Sequence, residues 1–208
     1  FSPLIVNSLM YRNNKNYQVD SRGGELSVIN VSNKTSPVFE KQIDIGLSGD
    51  YYSSNYNGNI GYILKSVFNG SGTLYYFNLD TEQLLGSSTA TAYGPSSIRP
   101  ASVHIYNNRI FAGKSVFSSS IPPTKYSDLP IDQDVPFSLA FDSPYMVYDI
   151  RNGSVGVIDI SNISSPQFVG YYPTQLNETR QIQTKYYNQK LYIFAAVSNV
   201  LQVYRLKN

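Results

Sequence analysis

The chain has 208 residues, a net charge of +2 and no cysteine, and only 14% of its residues are charged against 41% hydrophobic. That balance excludes a disordered chain, a disulfide scaffold and thiolate metal sites. The positive residues are scattered singly, so no basic footprint for nucleic acid exists, and no apolar run approaches the ~20 residues of a membrane-spanning helix.

In chain order almost every window reads as a short strand rich in Val, Ile, Tyr and Phe, bounded by Gly, Asn, Ser or Pro. The opening "FSPLIVNSLMY" is apolar, and "ELSVINVSNKTSPVFEKQIDIG", residues 25–46, gives two strands joined by a polar reversal. "GDYYSSNYNGNIGYILKSVF" is crowded with tyrosine and contains Asn57-Gly58, a hairpin signal, because both residues tolerate positive φ; Asn69-Gly70 and Asn152-Gly153 are further tight turns. "GTLYYFNLDTEQLLGSSTA", residues 72–90, repeats the strand–turn–strand layout with Leu-Asp-Thr-Glu as its turn. Strands at 101–106 and 109–117 precede residues 118–144, a proline- and aspartate-bearing stretch read as an insertion. "YMVYDI" follows, then "SVGVIDISNISSPQFVGYY" at residues 154–172, "LYIFAAV", and "VLQVYRLKN", which looks like the same motif cut off at its turn. No segment carries a capped helical period. The expectation is an all-β chain: an N-terminal strand segment, 1–15, and a repeat body, 16–208, of about four antiparallel sheet units.

The phrase Val-x-Ile-(Asn/Asp)-(Val/Ile)-Ser-Asn-x-(Ser/Thr)-Ser-Pro recurs at 25–46 and 154–174, with Pro37 and Pro166 fixing φ in the turn. It resembles the LVIVD-type β-propeller repeat of bacterial and archaeal surface proteins. The resemblance implies that the strand before Ser-Asn is the third of a blade and the strand after Pro the outer fourth. Units at 4–45, 50–90, 101–172 with the insertion, and 181–206 leave the last sheet one strand short. An open sheet edge invites pairing, which makes Leu4, Ile5, Val6, Leu9 and Met10 a closing or donated strand. The alternative architecture is a β-sandwich similar in layout to the pilin-like subunits of archaeal surface filaments, completed by that donated strand.

Six Asn-x-Ser/Thr sites, at Asn30, Asn33, Asn69, Asn152, Asn162 and Asn177, all fall in or beside expected turns, where an N-linked glycan would project into solvent. With the low charge, and with a chain beginning at Phe1 as a mature product would after leader removal, they favour an extracellular location of archaeal or viral type. Catalytic machinery is sparse. His104 is the only histidine and no Gly-x-Ser-x-Gly elbow accompanies it, so a structural histidine is the preferred reading. Asp128, Asp132, Asp134 and Asp142 supply hard oxygen donors, and Asp132-x-Asp134 is the nearest thing to a calcium loop; it lacks the turn glycine and the closing glutamate, which favours a solvated loop without metal. The tyrosines of 49–68 suit cross-strand packing better than stacking on sugar. The functional expectation is a non-enzymatic, cofactor-free structural or adhesive glycoprotein of a surface filament or virion, self-associating through strand contacts. A monomeric ligand- or glycan-binding propeller and a glycosidase are the alternatives.

Overall fold

The computed structural model describes residues 9–19, 25–45, 51–66, 71–91, 102–131, 139–150, 154–173, 181–197 and 200–206. Among these there is no helix, and the strands form five small antiparallel sheets. The first contains β1 (Leu9–Arg12), β2 (Lys15–Val19), β3 (Glu25–Asn30) and β4 (Val38–Asp44) in sequence order. The second contains β5 (Tyr51–Asn57), β6 (Ile60–Ser66), β7 (Ser71–Asn78) and β8 (Gln83–Thr91). The third contains β9 (Val103–Tyr106), β10 (Arg109–Ala112), β11 (Ser115–Ser118) and β12 (Lys125–Asp128). The fourth contains β13 (Leu139–Asp142), β14 (Tyr145–Ile150), β15 (Ser154–Asp159) and β16 (Gln167–Pro173). The fifth has three strands, β17 (Gln181–Tyr187), β18 (Lys190–Val197) and β19 (Val200–Arg205).

Five sheets stand where about four were expected. The strands at 103–106 and 109–112 do not share a sheet with 154–159 and 167–173. The stretch 118–144 instead contains β12, which closes the third sheet, and β13, which opens the fourth. Nor is it wholly solvated: Leu129 and Ile131 are 3% and 1% exposed.

The chain divides into two compact units, Phe1–Lys125 and Tyr126–Asn208, with the boundary inside β12. In the first unit Met10, Tyr17, Val19, Leu26 and Val28 of the first sheet meet Ile63, Phe77 and Leu79 of the second in one core. In the second unit Val147, Val155 and Val157 of the fourth sheet meet Ile182, Leu191 and Ile193 of the fifth. Period-2 alternation explains both, since every second side chain of a strand points to the neighbouring sheet. Each large side chain so buried contributes about 1.5–3 kcal/mol.

Three sheets share one irregularity. The pairing slips between Val28 and Ile29, between Tyr76 and Phe77, and between Val157 and Ile158, leaving Glu40, Leu85 and Val169 as bulged residues of the outer strand. Just beyond, the amides of Val31, Leu79 and Ile160 donate to the carbonyls of Asn14, Asn59 and Pro144, each at 2.8 Å. Residues 72–90 are thus a structural copy of the motif despite their different turn. Among the inner hairpin turns, Asn13-Asn14, Asn107-Asn108 and Asn188-Gln189 all adopt positive φ, as does Gly58 of the Asn57-Gly58 turn.

The segment expected to close or donate a strand is split. Leu4, Ile5 and Val6 lie outside the described residues. Leu9 and Met10 belong to β1, where they pair with Gln18 and Tyr17, and Met10 is 0% exposed. Those two residues are spent on their own first sheet, because Met10 completes its core. A pilin-like sandwich is not what the chain forms: it builds separate meanders rather than two large sheets.

Candidate functional site

The repeated turn is where sequence and structure converge. Asn30, Asn78 and Asp159 end the third strands, and each side-chain Oδ1 accepts the backbone amide two residues on, from Ser32 at 2.9 Å, Asp80 at 2.9 Å and Ser161 at 2.8 Å. This is the Asx turn by which a short polar side chain substitutes for a backbone acceptor. A second one follows in both full copies. Asn33 Oδ1 accepts the Thr35 amide at 3.1 Å and the Thr35 hydroxyl at 2.8 Å. Asn162 Oδ1 accepts the Ser164 amide at 3.2 Å. Both asparagines are exposed. Asn30 differs: it sits in β3, partly buried, and its Nδ2 donates to Glu40 Oε1 at 2.8 Å. Asn69, Asn152 and Asn177 lie outside the described residues.

In the degenerate copy the turn carries charge. Arg12 Nε bonds Asp80 Oδ1 at 2.9 Å, and Asn13 Nδ2 donates to the same oxygen at 2.8 Å. Lys15 Nζ lies 2.8 Å from Glu82 Oε1 and 2.9 Å from Glu40 Oε2, while Lys41 Nζ reaches Glu82 Oε2 at 2.5 Å. The Tyr17 hydroxyl donates to the Leu79 carbonyl at 2.8 Å. Burial pushes Glu82 upward, but the hydrogen bonds from Lys15 and Lys41 outweigh it and hold the carboxyl below its usual range. The same bonds, from Glu82 and then Glu40, raise Lys15. Burial, with the Glu82 charge beside it, pushes Tyr17 up to about 12. This network latches the second sheet's turn to the first sheet's hairpin. Sequence reasoning missed it, although two acids in a tetrapeptide of so weakly charged a chain were the available signal.

The remaining expected residues fall elsewhere. His104 lies in β9 opposite Phe111, partly buried, and burial pushes its pKa down to about 4, so it is neutral at ordinary pH. Asp132 and Asp134 lie outside the described residues. Asp128 is exposed in β12, and Asp142 Oδ2 accepts the Tyr186 amide at 2.5 Å, which makes Asp142 a tie between β13 and β17 rather than part of a loop shared with Asp128. Among the described residues no three His, Asp or Glu side chains converge on a cation position. Of the tyrosines in 49–68, Tyr62 is 1% exposed and Tyr56 is 37% exposed; the first packs inside the sheet stack. Pro37 and Pro166 occupy the repeated turns as expected, Pro37 exposed and Pro166 buried.

Comparison with known proteins agrees with this repeat geometry. Residues 19–45 and 149–174 match the LVIVD repeat. Comparison with curated protein sequences finds no match. Among solved structures, the computationally designed Ika8 protein is similar over 95% of this chain and 57% of its own, with a TM-score of 0.65 and 16% identity. The chain therefore spans little more than half the length of that protein. A protein from Lactobacillus plantarum is similar over 95% of this chain and 69% of its own, at TM-score 0.62 and 12% identity. A functionally unknown protein from Desulfotomaculum acetoxidans DSM 771 is similar over 96% and 68%, at 0.59 and 10%. At such identities the likeness shows the fold alone: an all-β, propeller-like repeat protein.

Proposed function

We propose that this LVIVD-repeat chain is a non-enzymatic extracellular glycoprotein, a structural or adhesive module of a surface assembly. The observation that carries the reading is the exposed Asx turn repeated at Asn33 and Asn162. There the side-chain oxygen accepts from the hydroxy residue of its own Asn-x-Ser/Thr triplet, and the asparagine itself is exposed. That presentation suits an N-linked sugar. His104, the single histidine of the sequence, lies in β9 with its pKa pushed down by burial, which fits a structural side chain. A ligand-binding role draws support from one feature, the Phe168–Tyr171 ring pair on the exposed outer strand β16, with centroids 4.6 Å apart.

Intact mass of the protein isolated from its native host, before and after removal of N-glycans, tests the proposal. A mass loss mapping to Asn33 and Asn162, with Asn30 unmodified, is the expected result. A bare polypeptide mass overturns the glycoprotein reading.

A further inference from the structure

Asn33 and Asn162 are both exposed, but their triplets are not equally free. An enzyme that attaches an N-linked sugar must grip the whole Asn-x-Ser/Thr triplet, since the third residue is part of what it recognises. Exposure of the asparagine alone therefore does not make an acceptor. The middle residue must also be able to leave the surface it sits on.

In the first copy the triplet is Asn33-Lys34-Thr35, and every residue from Ser32 to Phe39 is exposed. Its hydrogen bonds, from Thr35 to Asn33 Oδ1 and from the Ser36 amide to the Asn33 carbonyl at 3.2 Å, stay within the turn. The second triplet, Asn162-Ile163-Ser164, has the same internal bond, from the Ser165 amide to the Asn162 carbonyl at 3.1 Å. Here, however, the turn is also fastened from outside. Ile163 is 8% exposed and Pro166 is buried, where Lys34 and Pro37 stand in solvent. The Ser127 hydroxyl of β12 donates to the Ile163 carbonyl at 2.6 Å. Both partners belong to the second compact unit, so the fastening is internal to it. The difference follows from the middle residue: a lysine keeps its ammonium in water, whereas an isoleucine gains by leaving it.

We propose that folding closes Asn162 to modification: it accepts an N-linked sugar only until Ile163 docks and Ser127 bonds its carbonyl, whereas Asn33 remains an acceptor in the folded chain. The inference rests on the glycoprotein reading and adds an order of events to it. In the transfer, Asn162 Nδ2 bonds to the anomeric carbon of a lipid-phosphate-linked oligosaccharide as the bond from that carbon to the phosphate oxygen breaks. The lipid phosphate leaves with the electron pair, and the amide gives one proton to a base of the transferase. The transferase must enclose the triplet to do this. At Asn162 that means first withdrawing Ile163 from its burial and breaking the Ser127 bond, so only the locally opened fraction of folded molecules reacts.

Cell-free synthesis of the 208-residue chain with a purified oligosaccharide transferase and its lipid-linked donor tests the order. The transferase is supplied either during synthesis or after the chain has folded, and peptide mass spectrometry reads the occupancy of each triplet. Supplied during synthesis, it is expected to modify Asn33 and Asn162 alike. Supplied afterwards, it is expected to modify Asn162 at least about tenfold more slowly than Asn33. Ser127→Ala removes the outside bond, and Ile163→Lys gives the second turn the middle residue of the first. Each is expected to raise the post-folding rate at Asn162 by about twofold or more, with circular dichroism unchanged. Equal rates at the two sites of the folded chain overturn the inference, as does a folded Ser127→Ala chain no faster at Asn162 than wild type. So does an Asn162 that is refused even during synthesis while Asn33 accepts. A bare mass for the native protein removes the glycoprotein reading instead, and leaves this comparison of nascent with folded chain standing.

Discussion

Gly156 lies in β15 directly opposite Tyr148 of β14, and the tyrosine ring lies over it. A Cβ built there would stand 2.2 Å from Tyr148 Cζ and 2.4 Å from Cε1, well inside van der Waals contact. No unusual φ attaches to this glycine, so the penalty of Gly156→Ala is steric: the ring must retreat by about 1.5 Å, because carbon atoms pack at ~3.5–4 Å. Tyr148 is 1% exposed and has no open side to retreat into. Overpacking of such a core costs about 1–3 kcal/mol, occasionally more. A unit of this size loses ~4–8 °C of thermal midpoint per kcal/mol, so Gly156→Ala is expected to lower the midpoint by about 5–20 °C. The control is Gly170→Ala in the adjacent strand β16, whose Cβ would meet only Tyr172 atoms at 3.9 Å and should shift stability by less than about 0.5 kcal/mol. Differential scanning calorimetry of both variants and of Gly156→Ala with Tyr148→Leu makes the comparison, since shortening the ring should recover part of the loss. Equal midpoints for the two alanine variants would refute the argument.

Glu82→Gln removes the charge that Lys15 and Lys41 share and should destabilise the chain by about 1–3 kcal/mol in urea titration at neutral pH. Because the folded state holds Glu82 below its ordinary range, this stabilisation is present above the unfolded pKa and lost as pH falls through the folded one; the variant should therefore converge on wild type in acid. His104 acts at a different pH. Its folded pKa of about 4 lies below the unfolded value, so its contribution is full above about pH 6.5 and fades as pH falls toward 4. Between pH 7 and 4.5 that amounts to about 2–3 kcal/mol, and His104→Leu should lose correspondingly less stability than wild type over this interval; parallel curves would remove the buried imidazole from the account. Asn30→Gln should leave any glycan pattern unchanged, whereas Asn33→Gln should remove one glycan from the mass spectrum.

Most strands were legible because a half-buried strand writes its alternation into the sequence. β3 and most of β7 show it, and the Asn-rich turns were legible because positive φ restricts the choice of residue. The partition between the third and fourth sheets was not. β12 is "KYSD", a four-residue edge strand with mostly exposed side chains and no alternation to detect, and β13 is "LAFD", equally short and enclosed by prolines and aspartates. One signal was present: "YMVYDI" had the composition of a central strand yet had no place in a count of four units. A central strand needs a partner on each side, and β13 and β15 are those partners. Asp142 illustrates the limit for site residues, since its position suggested an oxygen donor to a cation but only the fold shows that the acceptor is occupied by the Tyr186 amide.

The degenerate copy shows what the turn must supply physically. Its string Leu-Asp-Thr-Glu has neither Ser-Asn nor Pro, yet the bulge, the Asx turn at Asn78 and the Leu79-to-Asn59 bond all form. What they require is an Asn or Asp closing the third strand and a backbone amide on the next residue to tie it to the inner hairpin; several of the positions that follow are exposed and differ between copies. Leaving those outer positions free lets the same reversal serve different ends. In two copies they carry asparagines on exposed Asx turns, and in the third they carry Asp80 and Glu82, which reach back to Arg12, Lys15 and Lys41 and join neighbouring sheets. A repeat constrained at two backbone bonds and free at its tip can be latched to a neighbour or opened to solvent without altering the sheet beneath it, and that division of labour is why the motif recurs with its core residues kept and its turn rewritten.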